Sequence, residues 1–208
     1  MTNYTITIGR QAGSGGREIG EKLAKALQIK CFDKEILAES SKKSGLCEEI
    51  FQNNDEKPTS SFLYSLVMDV TGGGYSGAAY LDMPLNHKVF LAQFHTIQEI
   101  AEKESAIFIG RCADYALMDN PNLVRIFIHA PLEDRIARLS SVRKLTANKA
   151  KDIIVKTDKK RASYYNYYSN GKWGDAANYD LSINSSLLGI DGTVDVLQEF
   201  LLKKKYTK

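Results

Sequence analysis

Apolar and polar positions along this chain follow two alternating rhythms. In "YTITIG" (4–9) β-branched residues alternate and stop at a glycine, which predicts a strand. From Glu18 to Leu27 the apolar positions Ile19, Leu23, Ala26 and Leu27 recur at three- and four-residue spacing, which predicts a helix. "IKCFD" (29–33) predicts a second short strand, and "KEILAESSKKSG" a helix stopped at Gly45. A long helix is expected over 84–105, starting near Pro84. "AIFIG" (106–110) and "LVRIFIHA" (123–130) are nearly continuous apolar runs. "PLEDRIARLSSVRK" (131–144) starts a helix at proline and carries arginines down one side. "DLSIN" (180–184) is the last predicted strand, and an amphipathic helix through Val194, Leu197 and Leu201 leads into a lysine-rich tail, read as solvated.

Strands that alternate with helices, two of them apolar throughout, predict a parallel sheet covered on both faces, an α/β fold. Two stretches interrupt the rhythm. "QNNDEKPTSS" (52–61) is polar and turn-rich, and "TGGGYSG" (71–77) is glycine-rich. They predict a mobile insert within one domain, with Gly72 to Gly74 as a hinge.

Composition narrows the function. A chain of 208 residues suits one substantial domain. A net charge of +3 is too mild for general nucleic-acid binding. No apolar run is long enough to span a membrane. Cys31, Cys47 and Cys112 are odd in number and widely spaced, so free thiols in a reducing cytoplasm are expected. Tyr164, Tyr165, Tyr167 and Tyr168 are expected to pack rather than stack on bases, and His95 and His129 to be core histidines.

The chemistry starts at "GRQAGSGGREIG" (9–20). Between a strand and a helix, glycines let the backbone curl around an anion, and the helix N-terminus points its N–H groups at it. The usual phosphate loop reads G-x-x-x-x-G-K-[ST]. Laid over 11–18, this chain keeps Gly16 but has Gln11 at the first glycine, Arg17 at the lysine and Glu18 at the Ser/Thr. Gly13, Ser14, Gly15 and Gly16 can still form a cradle, and Arg17 still offers a cation. Farther on, Gly110 and Arg111 follow an apolar strand, at the edge where open α/β sheets bind ligands.

Together "GSGGREIG", "FDKEI", "GRCADY" and "WGDAANYDLSIN" resemble the cytidylate kinase-like branch of the nucleoside monophosphate kinases. The resemblance runs from about residue 4 to 190. It implies a P-loop kinase fold: one three-layer α/β/α domain over 1–208, with a five-stranded parallel sheet, a helical monophosphate-binding insert near 50–85 and a lid near 135–160. It implies ATP and Mg2+ as donor and cofactor, and a small nucleotide as partner. Gly13, Ser14, Gly15, Gly16, Arg17 and Glu18 would hold the donor phosphates, with Asn184 and Ser185 near the donor base. Arg111 would hold the acceptor phosphate, with Asp33 and Asp114 on the acceptor side. Arg135, Arg138 and Arg161 would close on the transferring group, and Glu18 or Asp33 would order magnesium.

Two departures keep the acceptor open. The family's D-G-R-D is "IGRC" here, with Ile109 and Cys112 in place of both aspartates, the second of which helps recognise cytosine. The alternatives are a kinase for a non-nucleotide small molecule and a nucleotide binder that has lost the chemistry.

Overall fold

The computed structural model describes residues 4–45, 47–57, 83–169 and 171–206. The core of the expected insert, including Gly72 to Gly74, and the last residues of the tail lie outside them.

The strands are β1 (Thr5–Arg10), β2 (Lys30–Phe32), β3 (Ala106–Ile109), β4 (Leu123–His129) and β5 (Leu181–Asn184). They form one five-stranded parallel sheet in the order β2-β3-β1-β4-β5. Its centre is β1, with Thr5 opposite Ala106 on one side and Leu123 on the other.

The helices are α1 (Gly16–Leu27), α2 (Glu35–Ser44), α3 (Glu48–Asn54), α4 (Leu85–Lys103), the short α5 (Ala113–Ala116), α6 (Leu132–Arg143), α7 (Ala147–Tyr168) and α8 (Ser185–Tyr206). Gly45 ends α2 at φ 73°, where a side chain would be strained. Helix α8 bends at Gly189, whose φ of 68° breaks the helical path.

Alternation along the strands divides the sheet's contacts. Ile6, Ile8, Ile107, Ile109, Val124, Ile126 and Ile128 face α1 and α8 and pack on Ile19, Leu23, Val194 and Leu197. Ala106, Phe108 and Leu123 face the opposite layer and pack on Ile36 of α2 and Ile97 and Ile100 of α4. Both faces are thus covered, as the continuous apolar strands require. Burying each of these aliphatic side chains contributes about 1.5–3 kcal/mol. A third cluster joins α4 to α7, where Phe90 stacks on Tyr168 at 3.8 Å and meets Tyr164 edge-on.

Two expectations change. The turn-rich stretch from 52 begins inside a helix, because α3 continues to Asn54 around buried Phe51. His95 is exposed, because α4 turns it away from the stripe of Gln93, Thr96, Ile97 and Ile100. The stretch expected as a lid, 135–160, is most of α6 and the first part of α7, which pack on each other.

Candidate active site at the carboxyl edge of the sheet

The glycine loop joins β1 to α1. Gly13 and Gly15 have φ of 81° and 80°, so the chain turns there at no steric cost. Space enforces the choice at Gly13, where a Cβ would stand 2.7 Å from the Arg135 carbonyl oxygen. Several bonds pin the loop from outside. The Gln11 side chain accepts from Ala130 N–H at 3.1 Å. The Ser14 hydroxyl donates to the carbonyls of Gln11 and Ile128. The Ser185 hydroxyl donates to the Ser14 carbonyl at 2.7 Å and also reaches that of His129. The first backbone bond of α1 runs from Ile19 N–H to the Gly15 carbonyl. The amides ahead of it are the orphan donors of a helix N-terminus, which favour an anion.

Helices α6 and α7 hold the loop's other flank. Asp158 accepts from Ala12 N–H at 2.7 Å and from Arg135 Nη1 at 2.6 Å, while Arg135 also donates to the Ala12 carbonyl. Arg135 is therefore a buried wall of the loop rather than a solvated helix charge. Its Nε is buried and makes no hydrogen bond among the described residues. Arg138 pairs with Glu18, which Lys22 also approaches at 3.8 Å.

Beside the loop, arginines gather around three carboxylates. Arg111 and Cys112 both have positive φ, a tight turn after β3 that aims Arg111 inward. Its guanidinium donates to Asp33 at 2.8 Å and grips Asp55 in a two-point fork at 3.0 and 2.9 Å. Burial pulls its pKa down, but the charges of Asp55 and Asp33 outweigh that and hold it above the ordinary arginine value. Arg10 donates to Glu56 at 3.2 Å and approaches Asp33 at 3.9 Å. Arg161 donates to the Arg10 carbonyl at 3.1 Å, and its Nε stands 3.5 Å from Glu56. Burial and the neighbouring Arg10 charge lower Arg161 to about 10. Burial would raise Glu56, yet Arg10 and Arg161 hold it at about 2. Asp33 is also lowered, since Arg111, Arg10 and Arg17 outweigh its burial. Arg17 lies at the rim, half exposed, between Glu21 at 2.8 Å and Asp33 at 3.4 Å.

The cavity between these groups is lined by Arg10, Glu56, Arg111 and Arg161, and on its far side by Asp114, Tyr165, Trp173 and Tyr179. Burial raises Asp114, and the Tyr165 hydroxyl donates to it at 2.7 Å. Cys112 is buried against Phe90, Tyr164 and Tyr168.

The structure thus brings Arg17, Asp33, Arg111, Asp114 and Arg161 to one edge beside Gly13 to Gly16. Arg135, Arg138, Glu18 and Ser185 lie around the loop in bonds to other protein groups. Asn184 caps the start of α8 through Ser186 N–H. Sequence reasoning passed over Arg10, Asp55 and Glu56. Arg10 reads as a strand end and the two acids as turn filler. Their only signal was an arginine next to a glycine loop and an Asp-Glu pair after a helical turn.

The parallel sheet in this strand order, with a glycine loop between β1 and α1, defines the P-loop kinase fold. The chain belongs to the cytidylate kinase-like family, whose sequence profile matches residues 5–187. Among solved structures, an uncharacterized protein from Eubacterium ventriosum is 26% identical with a TM-score of 0.69, covering 96% of this chain and 98% of that one. Shikimate kinase from Bacteroides thetaiotaomicron is 16% identical, TM-score 0.53, covering 95% and 98%. Shikimate kinase from Acinetobacter baumannii, in complex with shikimate, is 12% identical, TM-score 0.52, covering 98% and 96%. No curated protein matches the chain. Among the described residues no helix is long and apolar enough to cross a membrane.

Proposed function

We propose that this protein transfers a phosphoryl group from ATP to a small anionic acceptor, a nucleoside monophosphate such as CMP. One observation carries the reading. Arg10, Arg111 and Arg161 converge on buried carboxylates directly beside a helix N-terminus built from glycines. A buried network of paired charges is a weak source of stability, which favours a role in holding a substrate anion. The transition state of phosphoryl transfer needs positioning and positive charge on its equatorial oxygens, and little else from a protein.

The loop amides and Arg17 receive the donor phosphates, with Asn184 and Ser185 on the base side. Arg138, beside Gly15, faces the same phosphates, and Arg135 keeps the loop in shape. Arg111 and Arg161 hold the acceptor anion, while Asp33, Asp114 and Tyr165 offer acceptors and a donor to its hydroxyl and base groups. An acceptor phosphate oxygen forms a bond to the γ-phosphorus with its own electron pair. The bond from that phosphorus to the bridging oxygen breaks, and the pair leaves on ADP. A dianionic acceptor has no proton to lose.

Magnesium suits one or two carboxylates together with nucleotide phosphates. Asp33, at the junction of loop and cavity, and Glu18, on the first turn of α1, fit that limited role; the described residues hold no cluster of three or more metal-ligating side chains. Bound there, the ion would neutralise charge on the phosphates.

The test is ADP release with Mg2+ and ATP against CMP, dCMP, UMP, AMP, GMP and shikimate. Turnover on one monophosphate is expected. Turnover only on shikimate would move the acceptor to hydroxylated acids. ATP binding without any turnover would leave a nucleotide binder.

A further inference from the structure

The loop brings no lysine, and Arg17 sits half exposed at the rim. Yet one cation crosses the space between the loop and the acceptor cavity. Arg10 leaves the end of β1 with only 10% of its side chain exposed. Its stem lies against Gly16, where an added Cβ would stand 2.6 Å from Arg10 Cβ and 3.2 Å from Cγ. Its head lies against Gly110, where an added Cβ would collide with Nη1 and stand 2.9 Å from Cζ. Gly110 also needs its glycine for φ, at 73°, while Gly16 is helical and leaves no room for a Cβ beside Arg10 and Ile128. Two glycines from opposite walls therefore form a slot for one arginine. The slot delivers the guanidinium to Glu56 and Asp33, between Arg111 and Arg161.

We propose that Arg10 is a catalytic residue that supplies the cation the loop lacks. Its guanidinium holds the phosphoryl group in transfer, and the Glu56 carboxylate stands in that position until substrate arrives. Several features fit such an exchange. A carboxylate and a phosphoryl group offer the same kind of oxygen acceptors to a guanidinium. Glu56 has a φ of 51°, a strained conformation for a non-glycine residue. The contact it makes with Arg161 is a loose 3.5 Å, and Arg161 Nε makes no hydrogen bond among the described residues.

This inference rests on the phosphoryl-transfer reading above, so the experiment separates the two. The full chain and its Arg10→Lys, Arg10→Ala and Gly16→Ala variants are compared in three ways. Turnover is measured with the acceptor found in the panel, ATP affinity with a fluorescent ATP analogue, and melting temperature with ADP–Mg2+ with and without aluminium fluoride, which mimics the transferring group. Arg10→Ala is expected to lower kcat by about 100- to 1,000-fold. ATP affinity and acceptor KM should stay within about threefold, the signature of an interaction made in the transition state. Arg10→Lys should keep part of the rate, added guanidinium should restore part of the Arg10→Ala rate, and the extra stabilisation by aluminium fluoride should vanish in Arg10→Ala. Gly16→Ala, which crowds the slot from outside the guanidinium's own contacts, should lower kcat and the aluminium fluoride stabilisation beyond any loss of ATP affinity it causes within the loop. A loss confined to ATP affinity, to acceptor KM or to melting temperature without rescue overturns the proposal. A wild type with no acceptor turnover defeats the phosphoryl-transfer reading; the aluminium fluoride stabilisation then still decides for or against Arg10.

Discussion

The two faces of β1 use the same strand for opposite ends. Toward α1 and α8 it presents Ile6 and Ile8, sealed among aliphatic side chains with no exposure. Toward α7 it presents Thr7 and Gly9, small residues that leave room for a cavity floored by backbone and walled by arginines. A Cβ on Gly9 would come within 2.8 Å of Phe127. Strand β3 repeats the pattern. Ile107 and Ile109 join the sealed face, and the chain past its end turns Arg111 into the cavity. The strand period of two thus makes the core and the site neighbours that share a backbone and little else. One side is sealed among aliphatic side chains alone, while the other combines a second apolar cluster with the charged cavity.

The comparison predicts that the two faces fail differently when broken. The largest effect on function belongs to the charged side. Arg111→Ala should lower kcat/KM for the acceptor by about 1,000-fold, since it removes a fixed cation from a site of developing charge. Steady-state kinetics beside ATP titration checks this, and a loss under tenfold would remove Arg111 from the acceptor site. The largest effect on stability belongs to the sealed side. Ile126→Ala should cost about 2–4 kcal/mol in denaturant unfolding and leave the KM of the folded protein unchanged.

Acid sharpens the contrast. Glu56 is held at about 2 by Arg10 and Arg161 against the upward push of burial. Its folded pKa is depressed, so its contribution is complete above the ordinary carboxylate range and is lost as pH falls from about 4.5 toward 2. Glu56→Gln should flatten that acid slope by on the order of 2 kcal/mol in pH-dependent melting. His87, buried at the start of α4 near Phe90 and Tyr168, is lowered to about 4 by burial. The unfolded chain takes the proton first, so its contribution declines as pH falls from about 6.5 to 4 and is constant below. His87→Phe should remove that earlier slope, which lies apart from the carboxylate one. The smallest effect is Tyr165→Phe. Removing its bond to Asp114 should raise acceptor KM by about threefold to tenfold, with ATP affinity unmoved.

Much of the fold was legible because burial on both faces writes itself into the strands. "AIFI" and "LVRIFIH" could only be interior, and the loop glycines announced the turn from strand to helix. The edge of the candidate site was legible where a cavity-lining residue follows such a strand, as Arg111 follows β3. Arg10, Asp55 and Glu56 were illegible for a different reason. Their meaning lies in pairs separated by 46 and 56 positions, Arg10 with Glu56 and Arg111 with Asp55. Nothing local distinguishes these acids from solvated turn residues. The pairing of Arg135 with Asp158 was hidden for the same cause, since its partner is on the next helix.

The Ser185 hydroxyl bonded to the carbonyl of Ser14 spans 171 positions of chain. Folding during synthesis must therefore leave the glycine loop unfinished until β5 and the start of α8 have emerged and docked. Long-range closure of this kind is slow to nucleate. The glycine loop therefore reaches its final bonding only after β5, far along the chain, has been made, and a chain cut short of Ser185 lacks the clasp that fixes the loop.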